Sequence, residues 1–261
     1  MHYKTDYHIH TTFSDGKAAP EEYIASAISA GLSEIGFSEH LALFKENQDW
    51  CMNPENMSVY LEHINNLKRN TKDVAVRIGL EIDYLPGKEK EISLFLDRHD
   101  LDYRIGSVHY MGEKTVDEGP DFYKGKNFDN LFESYFGYVN GVASSGLFDI
   151  IGHCDLIRIF GHKPSFDPEP YYRELAKTMK KNDVAFEVNT NGRNRPLADF
   201  YPDRRFVHIF REEKAPVCVN SDAHMPVRVG QYFDEAYKLL KENGFTEMVV
   251  FNKRKRKFIP I

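Results

Sequence analysis

Residues 5–15 read TDYHIHTTFSD and begin a pattern that recurs along the whole chain. Residues 5–11 form a β-rich run, so His8 and His10, two residues apart, project from the same face of the predicted strand. Asp15 follows five residues after His10, in a Thr-Phe-Ser-Asp-Gly segment. A single His-X-His pair arises by chance in many chains, so its meaning depends on what the other strands supply.

The chain repeats one organisation, a β-rich run followed by a segment of helical period. The seven β-rich runs are residues 5–11, 34–38, 74–84, 103–110, 149–154, 184–190 and 216–221. Helices are predicted at residues 20–30, 54–70, 88–98, 128–145, 168–181, 202–213 and 228–243. Two further strand-like segments follow at residues 248–251 and 257–261. This alternation indicates an α/β fold with a parallel sheet.

Length and charge narrow the class of protein. The 261 residues include 34 Lys and Arg against 40 Asp and Glu, a net charge of -6. An acidic chain is a poor general nucleic-acid-coating protein, and no apolar run approaches the ~18 residues that a membrane span requires. No linker or low-complexity tract divides the sequence, so we predict a single domain over residues 1–261 with neither a nucleic-acid nor a membrane partner. The oligomeric state stays open.

The N-terminus and the cysteines predict a cytoplasmic protein. Residues 1–13 lack the basic and apolar regions of a secretory signal. Cys51, Cys154 and Cys218 are odd in number and far apart, a pattern that fits neither a disulfide framework nor a thiolate zinc site. Reduced thiols are the simplest interpretation.

Residue types that bind metals recur at the ends of the predicted strands. After His8, His10 and Asp15, these are His40, Glu81, His109, His153, Asp222 and His224. The carboxyl ends of the strands form the rim where an α/β barrel collects its active site. Burying so many imidazoles and carboxylates together is costly without a cation. Nine such ligands suit two or three divalent metal ions, and mixed nitrogen and oxygen donors accept zinc, iron or manganese.

These motifs resemble those of the PHP (polymerase and histidinol phosphatase) superfamily, and the resemblance covers the whole chain. It implies a distorted (β/α)7 TIM-like barrel with a trinuclear metal centre at the C-terminal ends of the strands. By this similarity one metal is held by His8, His10, Glu81 and Asp222, a second by Glu81, His109 and His153, and a third by Asp15, His40 and His224.

Within the superfamily, the chain length, the Ser-Val-His-Tyr segment and the acidic-aromatic insertion at residues 111–126 resemble the histidinol-phosphate phosphatases. This resemblance implies hydrolysis of L-histidinol phosphate to L-histidinol and inorganic phosphate, a reaction of histidine biosynthesis. In the mechanism that we expect, a hydroxide bridging two metals attacks phosphorus, and Glu81, His109 and His153 carry the catalytic site. Cys154, beside His153, is interpreted as a small core residue and not as a nucleophile.

Residues beyond the metal ligands are expected to bind the substrate. A phosphate dianion favours guanidinium donors, and Arg158, Arg193 and Arg195 follow the fifth and sixth predicted strands. We expect Arg158 and Arg195 to contact phosphate, with Arg193 next. Glu113, in the insertion at residues 111–126, is the first candidate for the ammonium group of the substrate.

Three alternatives stay open at this stage. Another PHP phosphoesterase would act on a nucleotide, a phosphotyrosine or an oligonucleotide end with the same metals. A metal-dependent amidohydrolase also begins with His-X-His on a barrel strand, but often carries a bridging lysine at a later strand end, and none stands out here. A metal-storing barrel without turnover is disfavoured by the complete ligand set.

Overall fold

The computed structural model describes residues 3–45 and 48–261. Within them the strands are β1 (Thr5–Asp6), β2 (Glu34–Leu41), β3 (Ala75–Asp83), β4 (Ile105–Ser107), β5 (Tyr110–Met111), β6 (Lys114–Thr115), β7 (Ile150–Ile151), β8 (Ala185–Asn189), β9 (Val217–Asn220), β10 (Glu247–Asn252) and β11 (Lys255–Pro260). The α-helices are α1 (Pro20–Ser29), α2 (Met57–Asn70), α3 (Glu89–Leu96), α4 (Phe128–Ser144), α5 (Glu169–Asn182), α6 (Val207–Glu212) and α7 (Phe233–Glu242).

The main sheet joins its strands in the order β1-β2-β3-β4-β7-β8-β9, and all of its pairings are parallel. Its two edges meet through a parallel bridge between Ile9 and Ala223. At this bridge the His10 N–H donates to the Ala223 carbonyl at 3.0 Å, and the Ala223 N–H donates to the His8 carbonyl at 3.1 Å. The sheet is therefore a nearly closed, distorted (β/α)7 barrel, which confirms the expected fold.

The interior of the barrel is filled around one aromatic ring. The Tyr103 hydroxyl donates to the Tyr7 carbonyl at 2.6 Å and to the Phe37 carbonyl at 3.0 Å. Its side chain takes the space that side chains on the neighbouring strands would use, because a Cβ at Gly36 would lie 2.4 Å from the Tyr103 hydroxyl and a Cβ at Gly79 would lie 2.3 Å from the Tyr103 ring. Glycine at these two positions lets one tyrosine span the barrel.

A terminal hairpin closes the lower end of the barrel. Strands β10 and β11 pair antiparallel, and Val249, Val250 and Phe251 pack with Tyr7 and Tyr103 in one buried cluster. Arg254, in the turn of the hairpin, donates its N–H to the Asp102 carbonyl at 2.8 Å. The end of the barrel opposite the strand carboxyl ends is thus a packed core.

The predicted helices and strands agree with the structure apart from their ends and one insertion. The insertion at residues 111–126 follows the start of the β5–β6 hairpin at Tyr110 and includes a short 3-10 turn at Pro120–Tyr123. Helix α4 begins where predicted, with the Asn127 side chain accepting from the Asn130 N–H at 3.2 Å as an N-cap. None of the helices in the described residues has the length and apolar character to cross a membrane.

Candidate metal centre

Glu81 lies at the centre of a buried cluster at the carboxyl ends of the strands. It stands directly opposite His40 in the β2–β3 pairing. Its Oε2 lies 2.7 Å from His40 Nδ1, 3.0 Å from His8 Nε2 and 3.4 Å from His10 Nε2. Its Oε1 lies 3.0 Å from His153 Nε2. One carboxylate therefore faces imidazoles that come from several different strands.

Two aspartates join the same cluster from the loops after β1 and β9. Asp15 lies 3.7 Å from His40 and 3.3 Å from His224. Asp222 Oδ1 lies 3.5 Å from both His10 Nε2 and His224 Nδ1. His109 completes the set at 4.0 Å from Glu81 Oε1. The structure thus brings all nine sequence-predicted ligand residues together.

The ligand atoms lie close together, and much of their hydrogen-bonding capacity is unused. Several of them are buried without any hydrogen-bond partner, namely His8 Nε2, both ring nitrogens of His10, Asp15 Oδ1, His40 Nδ1, Glu81 Oε2 and His153 Nδ1. Buried polar atoms nearly always have a hydrogen-bond partner. A concentration of buried nitrogen and oxygen atoms without partners therefore indicates a binding site for an ion or ligand. Imidazole nitrogens and carboxylate oxygens are the donors that divalent transition metals take.

The cluster contains four overlapping groups of residues, and within each group the ligand atoms all lie within 4.8 Å of one another. They are His10, Asp15, His40 and His224; His8, Glu81 and His153; His8, His10 and Asp222; and His40, Glu81 and His109. Because Glu81 belongs to two of these groups, its carboxylate is placed to bridge two ions. The grouping differs from the expected one in two ways: His10 also joins Asp15, His40 and His224, and His109 and His153 lie in different groups around Glu81. The donor set suits two or three metals.

Outer carboxylates orient two of the imidazoles, and the sequence analysis did not find them. Glu187 in β8 accepts from His8 Nδ1 at 2.9 Å, and Asp83 in β3 lies 3.1 Å from His109 Nδ1. In both rings Nε2 is left to face Glu81. Such carboxylate–histidine pairs fix the ring and raise its basicity as a metal ligand. A signal was present, because Glu187 stands in an apolar strand and Asp83 lies two residues from Glu81 on the same face.

The electrostatics of the cluster match these roles. Burial opposes a charged His8, yet the negative charges of Glu187, Glu81 and Asp222 raise its pKa well above the ordinary value. Burial likewise opposes a charged His109, but Asp83 raises its pKa to about 10. These two imidazoles sit where a cation is favoured, and a bound metal would take the place of the proton.

His10 has the opposite character. Burial, together with the neighbouring His40 and His224, lowers the pKa of His10 to about 3. Its imidazole is therefore neutral at physiological pH, the form that binds metals. For Glu81, burial favours the protonated acid, but the charges on His8 and His40 hold its pKa well below the usual range.

Replacing Asp83 by asparagine should weaken metal binding about 10- to 100-fold, because the amide cannot orient and polarise His109 as the carboxylate does. Metal affinity measured by competition with a chelator, with kcat at saturating metal, tests this. Asp102→Asn is a matched control, since Asp102 is equally buried but lies at the lower end of the barrel, bonded to Lys68 and to the Ile78 N–H. Equal metal affinities of Asp83→Asn and Asp102→Asn would contradict this role for Asp83.

A cavity of about 690 Å³ opens above the cluster. Six of the nine cluster residues line it, so a solute can reach them. Arg195, expected to contact phosphate, lines the same cavity, as does Glu113. Tyr201, Asn191, Trp50 and Tyr110 are also in the lining, and the sequence analysis named none of them as site residues.

Arg158, expected to contact phosphate, is held by two carboxylates in the structure. Its side chain is buried outside the cavity lining, with one amino group 2.6 Å from Asp155 and the other 3.3 Å from Asp203. Two carboxylates therefore already occupy its guanidinium. Arg193 also lies outside the lining, where it faces Glu235 at 3.5 Å and donates to the Ala198 carbonyl at 3.3 Å. Of the three arginines, Arg195 is the one that lines the cavity.

Comparisons with known proteins give one consistent result. The model of the PHP domain family matches residues 6–191. A probable histidinol-phosphatase of Deinococcus radiodurans is 36% identical over 257 residues, which cover 96% of this chain and 97% of that protein. The histidinol-phosphatase of Lactococcus lactis is 27% identical over 260 residues, covering 95% of this chain and 94% of that protein.

A solved structure extends the likeness to three dimensions. The crystal structure of the Lactococcus lactis histidinol phosphate phosphatase, in complex with zinc, L-histidinol and phosphate, matches with a TM-score of 0.86 at 26% identity. The match covers 98% of this chain and all of that one. The likeness therefore extends well beyond the residues that the family model matches.

Proposed function

Because the chain belongs to the PHP domain family, we propose that it is a metal-dependent phosphatase that hydrolyses L-histidinol phosphate to L-histidinol and inorganic phosphate, a reaction of histidine biosynthesis. The observation that carries the proposal is the shared cavity, which is lined both by six residues of the nine-residue metal-ligand cluster and by Arg195. Relatives named for this reaction align over nearly the whole chain, which supports this substrate over other phosphoesters.

Different residues of the site have different roles in the proposed reaction. Divalent metals bound by the cluster would supply Lewis acidity and lower the pKa of water. Zinc, which is bound in the Lactococcus lactis structure, is the first candidate. The chain itself fixes the imidazole nitrogens through Glu187 and Asp83 and presents Arg195, whose planar fork matches two phosphate oxygens.

Tyr201, which lines the same cavity as Arg195, adds an uncharged hydrogen-bond donor. Its buried hydroxyl has no hydrogen-bond partner among the described residues, and its ring lies 6.2 Å from that of His153. Burial, together with the negative charge of Asp155, raises its pKa well above the ordinary value, so the phenol stays protonated. It is available to donate a hydrogen bond to a phosphoryl oxygen in this part of the cavity.

Replacing Cys154 by serine should leave kcat within about twofold, equivalent to ~0.4 kcal/mol. Cys154 is buried, and desolvation raises the pKa of its thiol well above the usual value, the reverse of what a thiolate nucleophile needs. Steady-state kinetics on folded protein, checked by its unfolding temperature, test the prediction. Complete loss of turnover in a folded, metal-loaded Cys154→Ser protein would require a covalent mechanism instead.

The proposed function is tested by metal content together with phosphate release from L-histidinol phosphate, p-nitrophenyl phosphate and a nucleotide. We expect two to three metals per chain and a kcat/KM for L-histidinol phosphate at least ~100-fold above the others, which is ~2.7 kcal/mol of differential transition-state binding. Bound metals and phosphatase activity without that preference would move the substrate to another phosphoester. Amide hydrolysis without phosphatase activity would point instead to an amidohydrolase.

A further inference from the structure

The cavity lining outside the metal cluster contains one acidic side chain that has no hydrogen-bond or ion-pair partner among the described residues. Acids lining the cavity are Asp15, Glu113, Asp117, Glu118 and Asp222. Asp15 and Asp222 belong to the metal cluster. Glu113 is largely exposed and is paired with Lys45, and Glu118 lies 3.6 Å from Lys114. Among the described residues, Asp117 makes no hydrogen bond or ion pair.

The backbone holds Asp117 in a fixed position. The preceding Val116 N–H donates to the His109 carbonyl at 2.8 Å, and the Tyr123 hydroxyl donates to the Val116 carbonyl at 2.9 Å. Val116 itself is fully buried and Asp117 is half-buried. The carboxylate therefore faces the cavity from an anchored segment, and its charge reaches His109 and Tyr110.

Two aromatic rings line the cavity with Asp117. The rings of Trp50 and Tyr110 are stacked at an interplanar angle of 26° with their centroids 6.0 Å apart. Trp50 also lies edge-on to His109, at 5.4 Å between centroids. A half-buried carboxylate and aromatic faces that line one cavity with a metal cluster are the groups that recognise an organic cation carrying a flat ring.

We propose that Asp117 binds the ammonium group of the substrate and thereby selects phosphoesters of amino alcohols. This inference rests on the proposed function and specifies how the same cavity reads the organic half of its substrate. Asp117 takes the role that the sequence analysis expected of Glu113, because the Glu113 carboxylate is already paired with Lys45 at the surface. An ammonium group can form a charge-assisted hydrogen bond with this half-buried carboxylate, and the described residues supply no competing cation to Asp117.

The test compares L-histidinol phosphate with its des-amino analogue, 3-(imidazol-4-yl)propyl phosphate, in the metal-loaded enzyme. Asp117→Asn should lower kcat/KM for L-histidinol phosphate about 10- to 100-fold and leave kcat/KM for the analogue within about threefold. The analogue serves as the internal control for folding and metal content, since a damaged site would lose both activities. Asp121→Asn, the same change at an exposed position of the same insertion outside the cavity lining, should alter neither.

The outcomes separate this inference from the proposed function. If the wild type prefers L-histidinol phosphate over the analogue and Asp117→Asn keeps that preference, Asp117 is not the ammonium site, although the enzyme remains a histidinol phosphatase. An equal loss on both substrates likewise overturns the inference and gives Asp117 a structural role. If the wild type hydrolyses the analogue and p-nitrophenyl phosphate but not L-histidinol phosphate, the proposed function fails and the inference fails with it.

Discussion

Replacing Glu81 by glutamine should lower kcat/KM for phosphate release at least about 1,000-fold, ~4 kcal/mol of transition-state stabilisation, and reduce the metal content of the purified protein. Both carboxylate oxygens of Glu81 are committed to the cluster, Oε2 to His8, His10 and His40, and Oε1 to His153. The glutamine amide keeps the shape but replaces one oxygen with an NH2 group. That group has no lone pair for a metal, and the charge that bridges two ion sites is lost.

The measurements are metal content by elemental analysis, kinetics at saturating metal, and the unfolding temperature. Glu34→Gln is the matched control, because Glu34 is also buried on the sheet but lies at the opposite end, bonded to Tyr3, Tyr7 and Arg77. That variant should lose stability while keeping full metal content and activity per folded molecule. A Glu81→Gln enzyme with full metal content and more than a tenth of wild-type kcat/KM would remove Glu81 from the bridging position.

The sequence predicted the barrel and its rim because two independent periodicities agree. Period-two runs give strands, longer periods give helices, and a polar ligand follows at nearly every strand end. Parallel strands all carry their carboxyl ends on one rim, so residues as distant in sequence as His8, Glu81 and Asp222 must meet there. These residues come together because of the parallel strand topology, and the alternation of strands and helices in the sequence predicts that topology.

The lengths of the strands could not be predicted in the same way. Residues 5–11 read as one strand, but β1 ends at Asp6. Beyond it side chains accept every second backbone N–H: the N–H of Tyr7 donates to Asn220 Oδ1 at 2.8 Å, that of Ile9 to Ser38 Oγ at 3.1 Å, and that of Thr11 to Glu39 at 3.1 Å. These acceptors come from β2 and β9, and local sequence does not contain their positions.

The ion-pair partners of charged residues also could not be predicted from the sequence. Arg158 and Arg195 are equivalent as sequence, since each follows a strand that ends on the rim. Only the fold shows that Asp155, at i−3, and Asp203, from a distant loop, enclose the first guanidinium. The same holds for Glu113 and Asp117, because the lysine that pairs with Glu113 comes from the loop after β2. The spacing of residues along the chain does not show which distant charged residues will form ion pairs.

Replacing Arg158 by alanine should lower the free energy of unfolding by about 3–5 kcal/mol, which corresponds to an unfolding temperature roughly 10 °C lower. The guanidinium is buried between Asp155 and Asp203, and the Tyr172 hydroxyl also donates to Asp155 Oδ2 at 2.6 Å. Its removal leaves the buried Asp155 without a cation, whereas Asp203 keeps its ion pair with Arg205 at 2.6 Å. Denaturant unfolding measures the loss, and kcat/KM well below the unfolding temperature should stay within about tenfold of wild type.

For Arg195→Ala we expect the opposite result, a loss of activity without a loss of stability. Comparing the two variants therefore separates a structural arginine from a substrate-binding one. Arg195 lines the cavity and no carboxylate within ion-pair distance holds it among the residues described, so its removal leaves no buried charge unpaired. We expect an unchanged unfolding temperature and a loss in kcat/KM of about 100-fold, the scale of one lost donor to transition-state charge. Inorganic phosphate should also inhibit this variant more weakly. If instead Arg158→Ala kept wild-type stability and lost affinity for phosphate, the guanidinium of Arg158 would have to turn from its two aspartates into the cavity during the reaction.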